Sequence, residues 1–514
     1  MIFAIILILT ALTLLVIYKY IKYKKNFDLI NRIPGPSTYP IIGNMKMLNV
    51  AIDELWNVLR NGNKQYYPMT RYWLGPNPFI SLRHPDDLEF IFSGTKHLEK
   101  GFAYKFMRPW METGLLTSTG NKWHHRRKIL TPAFHFNILK KYAVTINERG
   151  RAFVEYLKNE KQTNEVELMK LCTNHTLNIV CDSVMGVALD NINEANAEEY
   201  RDAVTAAGNI VIYRSFRPFI PDWILNCMKI GRTQQKVVKT LHTFTNKVLK
   251  ERTKYHDNTE NKYLADLEEN NDQIDSDYSS MNNGKRKKLA MLDLLIKANK
   301  DGLIDEQGIR EELDTFTFAG HETTGMALMF TLILLAEHNE IQDKVRAEIK
   351  SIINKNECNI KTTDTQELCY LERCIKESLR IFPPVHTVTR LLEEDACIRG
   401  YNIPKGTEIG CFIVDTHRDP NFWPEPMRYD PDRFISENTQ GRHPFSYVPF
   451  SAGPRNCIAQ KFAMLELKST LAHILHNFKL EPVTKSSDIK LILGIIARPS
   501  KPVYVKFVKI HHNY

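Results

Sequence analysis

The chain has 514 residues, 43% of them hydrophobic, with 25 Phe and 21 Tyr, enough to bury one large or two ordinary domains. Its formal charge of +10 suits an anionic membrane surface or an acidic protein partner. No zinc-finger spacing and no aromatic-interleaved basic stretch occurs, which argues against nucleic acid as a partner. Nine scattered cysteines form no paired framework, excluding a disulfide scaffold and pointing to a reducing, cytosol-facing environment.

Residues Met1–Tyr18 are uncharged and mostly Ile, Leu, Ala and Val; Lys19, Lys22, Lys24 and Lys25 follow. At ~1.5 Å per residue, this run with a snorkelling lysine reaches across about one bilayer core. A cleaved leader carries its positive charge before the apolar run, and here the order is reversed. The pattern predicts a signal-anchor helix over 1–23 with everything after it cytosolic. Pro34, Gly35, Pro36, Pro40 and Gly43 then predict a stiff extended hinge within the basic, proline-rich stretch 24–43.

Met69–Leu74 and Pro78–Leu82 alternate around Gly75-Pro76-Asn77 and read as a hairpin. Beyond Leu82 the periodicity is mostly helical to about Leu392, and short strands return around Ile409–Val414 and Val503–Val508. Trp123 and Arg127 lie four apart on one helical face, within a strongly basic stretch. Val211–Leu225 is apolar, aromatic and broken by Pro218 and Pro221; core and exposed apolar surface fit it equally. His256–Lys288 is polar and charged and reads as a disordered surface loop.

Leu313–Leu335 is a long apolar helical pattern interrupted by Ala319-Gly320-His321-Glu322-Thr323-Thr324. Gly320 lets backbone come close, and a Thr323 hydroxyl bonded back to a carbonyl distorts the ladder. The expected result is a groove where Glu322 and Thr323 offer a carboxylate and a hydroxyl able to relay protons. Glu377 and Arg380 share a helix face, Arg390 ends the stretch PPVHTVTR, and Arg433 lies in PDRF. By spacing alone, a surface ion pair explains the first two.

The stretch Pro449–Ala463 reads PFSAGPRNCIAQKFA, with Phe450, Gly453, Arg455 and Cys457 at fixed spacing. Gly453-Pro454 marks a tight turn, and a helical period follows the cysteine. A cysteine where a loop enters a helix is favoured as a thiolate. With Phe450 upstream and Arg455 beside it, Cys457 suits a proximal haem-iron ligand, Arg455 meeting a propionate.

At these residues the chain resembles the cytochromes P-450, membrane-bound haem-thiolate monooxygenases. The order of anchor, proline hinge, W-x-x-x-R, AGHETT, E-x-x-R, P-x-R-F and cysteine loop is similar to that family's over essentially the whole chain. The segments GLLTSTG, KWHHRRKILTPAFHF, KLAMLDLLIKA and GHETT resemble the family-4 group, whose members often hydroxylate fatty-acid chain ends.

The resemblance implies a mainly α fold with a small β subdomain, its haem-thiolate catalytic domain over 44–514. It implies a haem b bound through Cys457, with Phe450 beside it and Trp123, Arg127, Arg390 and Arg455 toward the propionates. Thr323 and Glu322 become the catalytic relay, and Glu377, Arg380 and Arg433 a buried structural cluster. Partners implied are NADPH-cytochrome P-450 reductase, cytochrome b5 as a second electron donor, and a lipophilic substrate, at the endoplasmic reticulum membrane. Lys122, Arg126 and Lys128 are expected as an exposed basic patch docking the reductase. Pocket walls are expected from 101–111, 211–220, 316–319, 385–388, including His386, and 491–496. The zone 211–225 would lie over the substrate entrance.

Two departures stand out: Ala459 where the family usually has glycine, and Ala319 where many family-4 members carry a glutamate that links covalently to haem. Ala319 cannot form that link. A haem-thiolate isomerase or dehydratase, or a non-catalytic haem-binding membrane protein, is the alternative reading; the Glu322/Thr323 pair argues against both.

Overall fold

A computed structural model describes residues 2–159, 165–189, 194–259, 290–352 and 362–510. The first helix, α1, covers Ile2–Ile30 and so runs past Tyr23 through the first part of the predicted hinge. Nothing between Lys24 and Ile30 breaks a helix, and Tyr23, Phe27 and Ile30 form an i, i+4, i+7 stripe. Phe27 packs on Trp73 with ring centroids 4.9 Å apart, and Ile30 and Ile33 are fully buried. The described apolar side chains from Ile2 to Leu15 and from Ile17 to Ile21 are exposed. Extended backbone begins only at the Pro34–Pro36 run.

The elements that frame the site follow in order: β1 (Met69–Leu74), β2 (Asn77–Leu82), α2 (Gly120–Leu130), α3 (Phe136–Asn159), α4 (Leu168–Ile179), α5 (Glu194–Ser215), α6 (Lys229–Asn258), α7 (Glu306–Glu337), α8 (Cys369–Ile381), β3 (Val388–Leu391), β4 (Glu408–Cys411), α9 (Gln460–Asn477), β5 (Phe478–Pro482) and β6 (Tyr504–Lys509). One sheet has the order β1-β2-β4-β3. β1 and β2 form the predicted hairpin, with Arg71 opposite Ile80. β2 pairs parallel to β4, Ile80 against Ile409, and β3 pairs antiparallel to β4, Thr389 against Gly410. The strand expected over Ile409–Val414 stops at Cys411; Ile413–Thr416 turns into helix. Near the C-terminus β6 pairs with β5, Phe507 against Leu480.

The helical layer is built on α7, which is buried along most of its length and packs against α4, α6, α8 and α9. The start of the stretch expected as a loop from His256 is helical. α6 continues through Asn258, and His256 is buried against Asp293 at 2.7 Å. Residues 260–288 of that expected loop lie outside the described residues.

Candidate active site

The loop Phe450–Ile458 is held by its own backbone. The Cys457 N–H donates to the Phe450 carbonyl at 2.9 Å, and Asn456 N–H to the Gly453 carbonyl at 3.1 Å. Gly453 has φ +68°, and a Cβ there would lie 1.7 Å from the Phe92 carbonyl oxygen. Only glycine satisfies both. From α2, the Arg127 guanidinium donates to the Asn456 carbonyl at 2.9 Å and to Asn456 Oδ1 at 2.8 Å, clamping the residue before the cysteine.

Cys457 faces a cavity of about 420 Å³. α9 starts only at Gln460, so Cys457 stands ahead of the helix end that was expected to favour its thiolate. Burial pushes the thiol pKa up, against the opposing pull of the Ala459 N–H and Arg127. A cation bound to the sulfur would favour its anionic form.

Beside the cysteine loop the cavity meets a cluster of cations. Arg455 donates through Nη2 to the Ser118 carbonyl at 2.9 Å, while its Nε and Nη1 have no partner among the described residues. Its guanidinium lies over the Trp123 ring at 4.6 Å. Burial, and then Arg390, lower its pKa to about 9. Arg390 is buried, donates to the Thr389 carbonyl at 3.1 Å, and is not itself on the cavity wall. Lys100 is on the wall, and burial followed by Arg390 and Arg455 lowers its pKa strongly. None of Lys100, Arg127, Arg390 and Arg455 has a carboxylate within ion-pair distance among the described residues. Such mutual repulsion is relieved by an anionic ligand. Lys100 was missed in the sequence because it belongs to no spaced pattern; only the β3 pairing brings it to Arg390.

The opposite wall is α7, through Phe316, Ala319, Gly320, Thr323 and Thr324. The expected interruption is absent: α7 is one continuous helix. Thr323 Oγ1 donates to the Ala319 carbonyl at 2.7 Å without opening it. Gly320 serves close packing instead, since a Cβ there would sit 2.7 Å from Val180 Cγ2. Glu322 does not line the cavity. Its Oε2 accepts from Arg498 Nη2 at 2.6 Å, and its Oε1 lies 3.5 Å from His321 Nε2. Burial works to raise the Glu322 pKa, but Arg498 and His321 together outweigh it and hold the carboxyl at about 2.

Glu377, Arg380 and Arg433 come together away from the cavity. Arg380 makes two 2.7 Å bonds to Glu377, and Arg433 Nε approaches Glu377 Oε1 at 3.3 Å. Arg380 also donates to the carbonyls of His417, Pro426 and Arg428, so the cluster pins the segment 417–433. The expected basic patch forms only in part. Arg126 is buried and lies 3.3 Å from Glu311, and Lys122, though exposed, bonds the same carboxylate at 2.8 Å; Lys128 is exposed. The acid comes from the first turns of α7, opposite the face taken as free.

The remaining walls are mostly apolar, Glu408 apart. They come from Phe102, Tyr104 and Met107, from Val211 and Phe216, and from Val385, Ile495 and Ile496, with His386 among them. His386 is tied to the Gly494 carbonyl at 2.9 Å. The stretch 211–225 divides: Val211 and Phe216 face the cavity, whereas Phe219 and Trp223 are exposed. Tyr72, Phe79, Val180 and Val184 also line the cavity, and nothing in their spacing marked them.

Residues 33–507 match the model of the family "Cytochrome P450". The chain is 39% identical over 488 residues to "Cytochrome P450 4c3" of Drosophila melanogaster, covering 93% of this chain and 89% of that one. It is 36% identical over 506 residues to "Cytochrome P450 4V2" of Homo sapiens, covering 96% and 93%. It is 32% identical over 493 residues to "Cytochrome P450 4c21" of Blattella germanica, covering 95% and 96%. A cysteine facing an apolar cavity, unpaired cations beside it and a match across nearly the whole chain agree: the chain belongs to the cytochrome P450 family, among relatives of the family-4 group, and is a haem-thiolate monooxygenase.

Proposed function

We propose that this chain inserts one atom of dioxygen into a lipophilic substrate (a fatty acid, a terpenoid or a foreign compound). Electrons come from NADPH-cytochrome P-450 reductase, with cytochrome b5 as a second donor, at the endoplasmic reticulum membrane. The observation that carries the reading is one apolar cavity with the Cys457 thiol on one wall and Thr323 on the wall formed by α7. The exposed apolar length of α1 supports membrane attachment.

The residues present fit a haem b. Cys457 would hold its iron, Phe450 lie against it, and Lys100, Arg455 and Arg127 with Trp123 meet its two carboxylates, Arg390 supporting from behind. The bound haem supplies dioxygen activation, which thiolate ligation favours. The chain's own contribution is a dry cavity, placement of the substrate, and protons. Thr323 presents its hydroxyl oxygen to the cavity, its proton donated to Ala319. Glu322 brings protons from behind α7, and must leave Arg498 to do so. Glu377, Arg380 and Arg433 keep the loop's support in place.

Replacing Arg455 or Lys100 with Leu should speed haem transfer to apomyoglobin by about tenfold or more, since one lost charge-assisted bond is worth about 1.5–3 kcal/mol. An unchanged transfer rate would contradict the assignment of these cations. With Ala319 in the helix wall, acidic organic solvent should extract all of the haem; retention on the polypeptide would contradict non-covalent binding.

The function is tested by screening lipophile classes for shifts in the haem spectrum, then incubating binders with reductase and NADPH. One oxygen atom added to a product, dependent on both, is expected. Product formation without reductant would favour the isomerase or dehydratase reading, and haem binding without turnover a carrier.

A further inference from the structure

Glu408 stands on the cavity wall with no task in the reading above. Residues 408 and 410 of β4 share one face. Glu408 lies beside Phe79 of β2, and Gly410 beside Thr389 of β3; Phe79 and Thr389 line the cavity too. Glu408 is 3% exposed and is the only acid among the described lining residues. A Cβ at Gly101 would lie 1.9 Å from Glu408 Oε1 and 2.1 Å from Thr389 Oγ1, so the two side chains meet over that glycine. Glu408 Oε2 and Thr389 Oγ1 have no hydrogen-bond partner among the described residues. No cation there stands within ion-pair distance of Glu408. Burial raises its pKa to about 8, with the Thr389 hydroxyl, the Phe102 N–H and Lys105 pulling less strongly the other way. Other polar groups of the cavity are occupied. The hydroxyls of Ser215, Thr315 and Thr323 donate to carbonyls of their own helices, and His386 is tied to Gly494.

We infer that Glu408, with Thr389 beside it, binds a hydroxyl group carried by an otherwise apolar substrate. This rests on the proposed reading of the cavity as the substrate site and narrows that reading to lipophilic alcohols. A buried polar atom without a partner is costly, and a ligand that supplies one recovers that cost. A hydroxyl both donates and accepts, so it meets the carboxyl in either of its forms and the Thr389 hydroxyl as well. A ligand carboxylate would set a second acid beside Glu408, with the cations of the wall already assigned to the haem carboxylates. A ligand ammonium would have to leave water to form a buried ion pair, whose desolvation offsets most of its attraction.

The test titrates the full-length haem-loaded protein with decanol, dodecanol and tetradecanol, and with the chloroalkanes and alkanoates of the same chains. Affinities are read from the shift each ligand causes in the haem spectrum. In Glu408→Leu the ratio of alkanol to chloroalkane affinity should fall about tenfold or more, the loss expected for one buried hydrogen bond. Glu408→Gln, whose amide both donates and accepts, should keep the parent's ratio. Thr389→Val removes only a hydroxyl and should lower the ratio severalfold; it decides the matter if Glu408→Leu fails to hold haem. A parent that binds none of the alkanols, or a ratio unchanged in the Leu and Val variants, overturns the inference. Equal weakening of alkanol and chloroalkane also overturns it, and would mark Glu408 as a support for the loop around Gly101. A loss of alkanoate affinity larger than that of the alkanol overturns it in favour of a carboxylate site. None of these spectra depends on turnover. If a bound alkanol stays unchanged with reductase and NADPH, the reading of the cavity as the place of oxygen insertion fails, and the affinity ratio still decides the role of Glu408.

Discussion

Glu377→Ala should cost the haem-loaded domain about 3–5 kcal/mol, the penalty of stranding buried charge. Glu377 and Arg380 are fully buried, and Arg433 nearly so. Removing the carboxylate leaves two guanidiniums within one site. Three carbonyls remain on Arg380, yet dipoles do not cancel its charge. The segment 417–433, held in part by those donors, would shift, and with it the His417 ring that accepts from the Val448 N–H at 2.8 Å. Whole domains have ~5–15 kcal/mol to lose, so this is a large share. Glu377→Gln keeps the shape and loses the charge, and should fall nearly as far. Thermal unfolding of the two variants beside the parent checks this. A midpoint within about a degree of the parent for Glu377→Ala would show that the cluster does not support the fold, since about 3–5 kcal/mol should move a domain of this size by roughly 3–5 degrees.

Gly453→Ala should leave a folded protein with on the order of a tenth of the parent's haem content or less; a tenfold change needs only about 1.4 kcal/mol. An alanine at φ +68° is strained by about 1–2 kcal/mol on its own. The clash is worse: a methyl 1.7 Å from the Phe92 carbonyl forces the loop away from the helix that ends at Phe92. The Cys457 N–H bond to Phe450 and the Arg127 clamp on Asn456 then lose their geometry. Gly441→Ala is the control, because Gly441 has φ +75° with nothing within 4 Å of its Cβ. It carries the strain without the clash and should retain haem. Equal haem-to-protein ratios in both variants would contradict the steric account.

Legibility in the sequence tracked the range of each interaction. Glu377 and Arg380 share one helix, so their pairing followed from spacing; that both are buried did not. The hairpin was marked by alternation around Gly75-Pro76, and the loop around Cys457 by a dense local pattern. Arg126 shows the limit. Helical periodicity places it on a face but cannot say that Glu311, 185 residues away, lies opposite. Arg498 meets Glu322 across 176 residues, and Lys100 reaches Arg390 only through the sheet, so neither contact had a local signature. The end of α1 was misplaced for a different reason. Lysines suggested a boundary, but they form helix well, and the chain stops only near its prolines.

The central claim is that the sulfur of Cys457 binds haem iron. The most direct measurement is the carbon monoxide difference spectrum of the reduced, purified protein, recorded beside Cys457→Ser. The account predicts the strongly red-shifted Soret band of an anionic sulfur ligand in the parent and its loss in the variant. A parent spectrum without that band, or a serine variant that keeps it, would contradict the account.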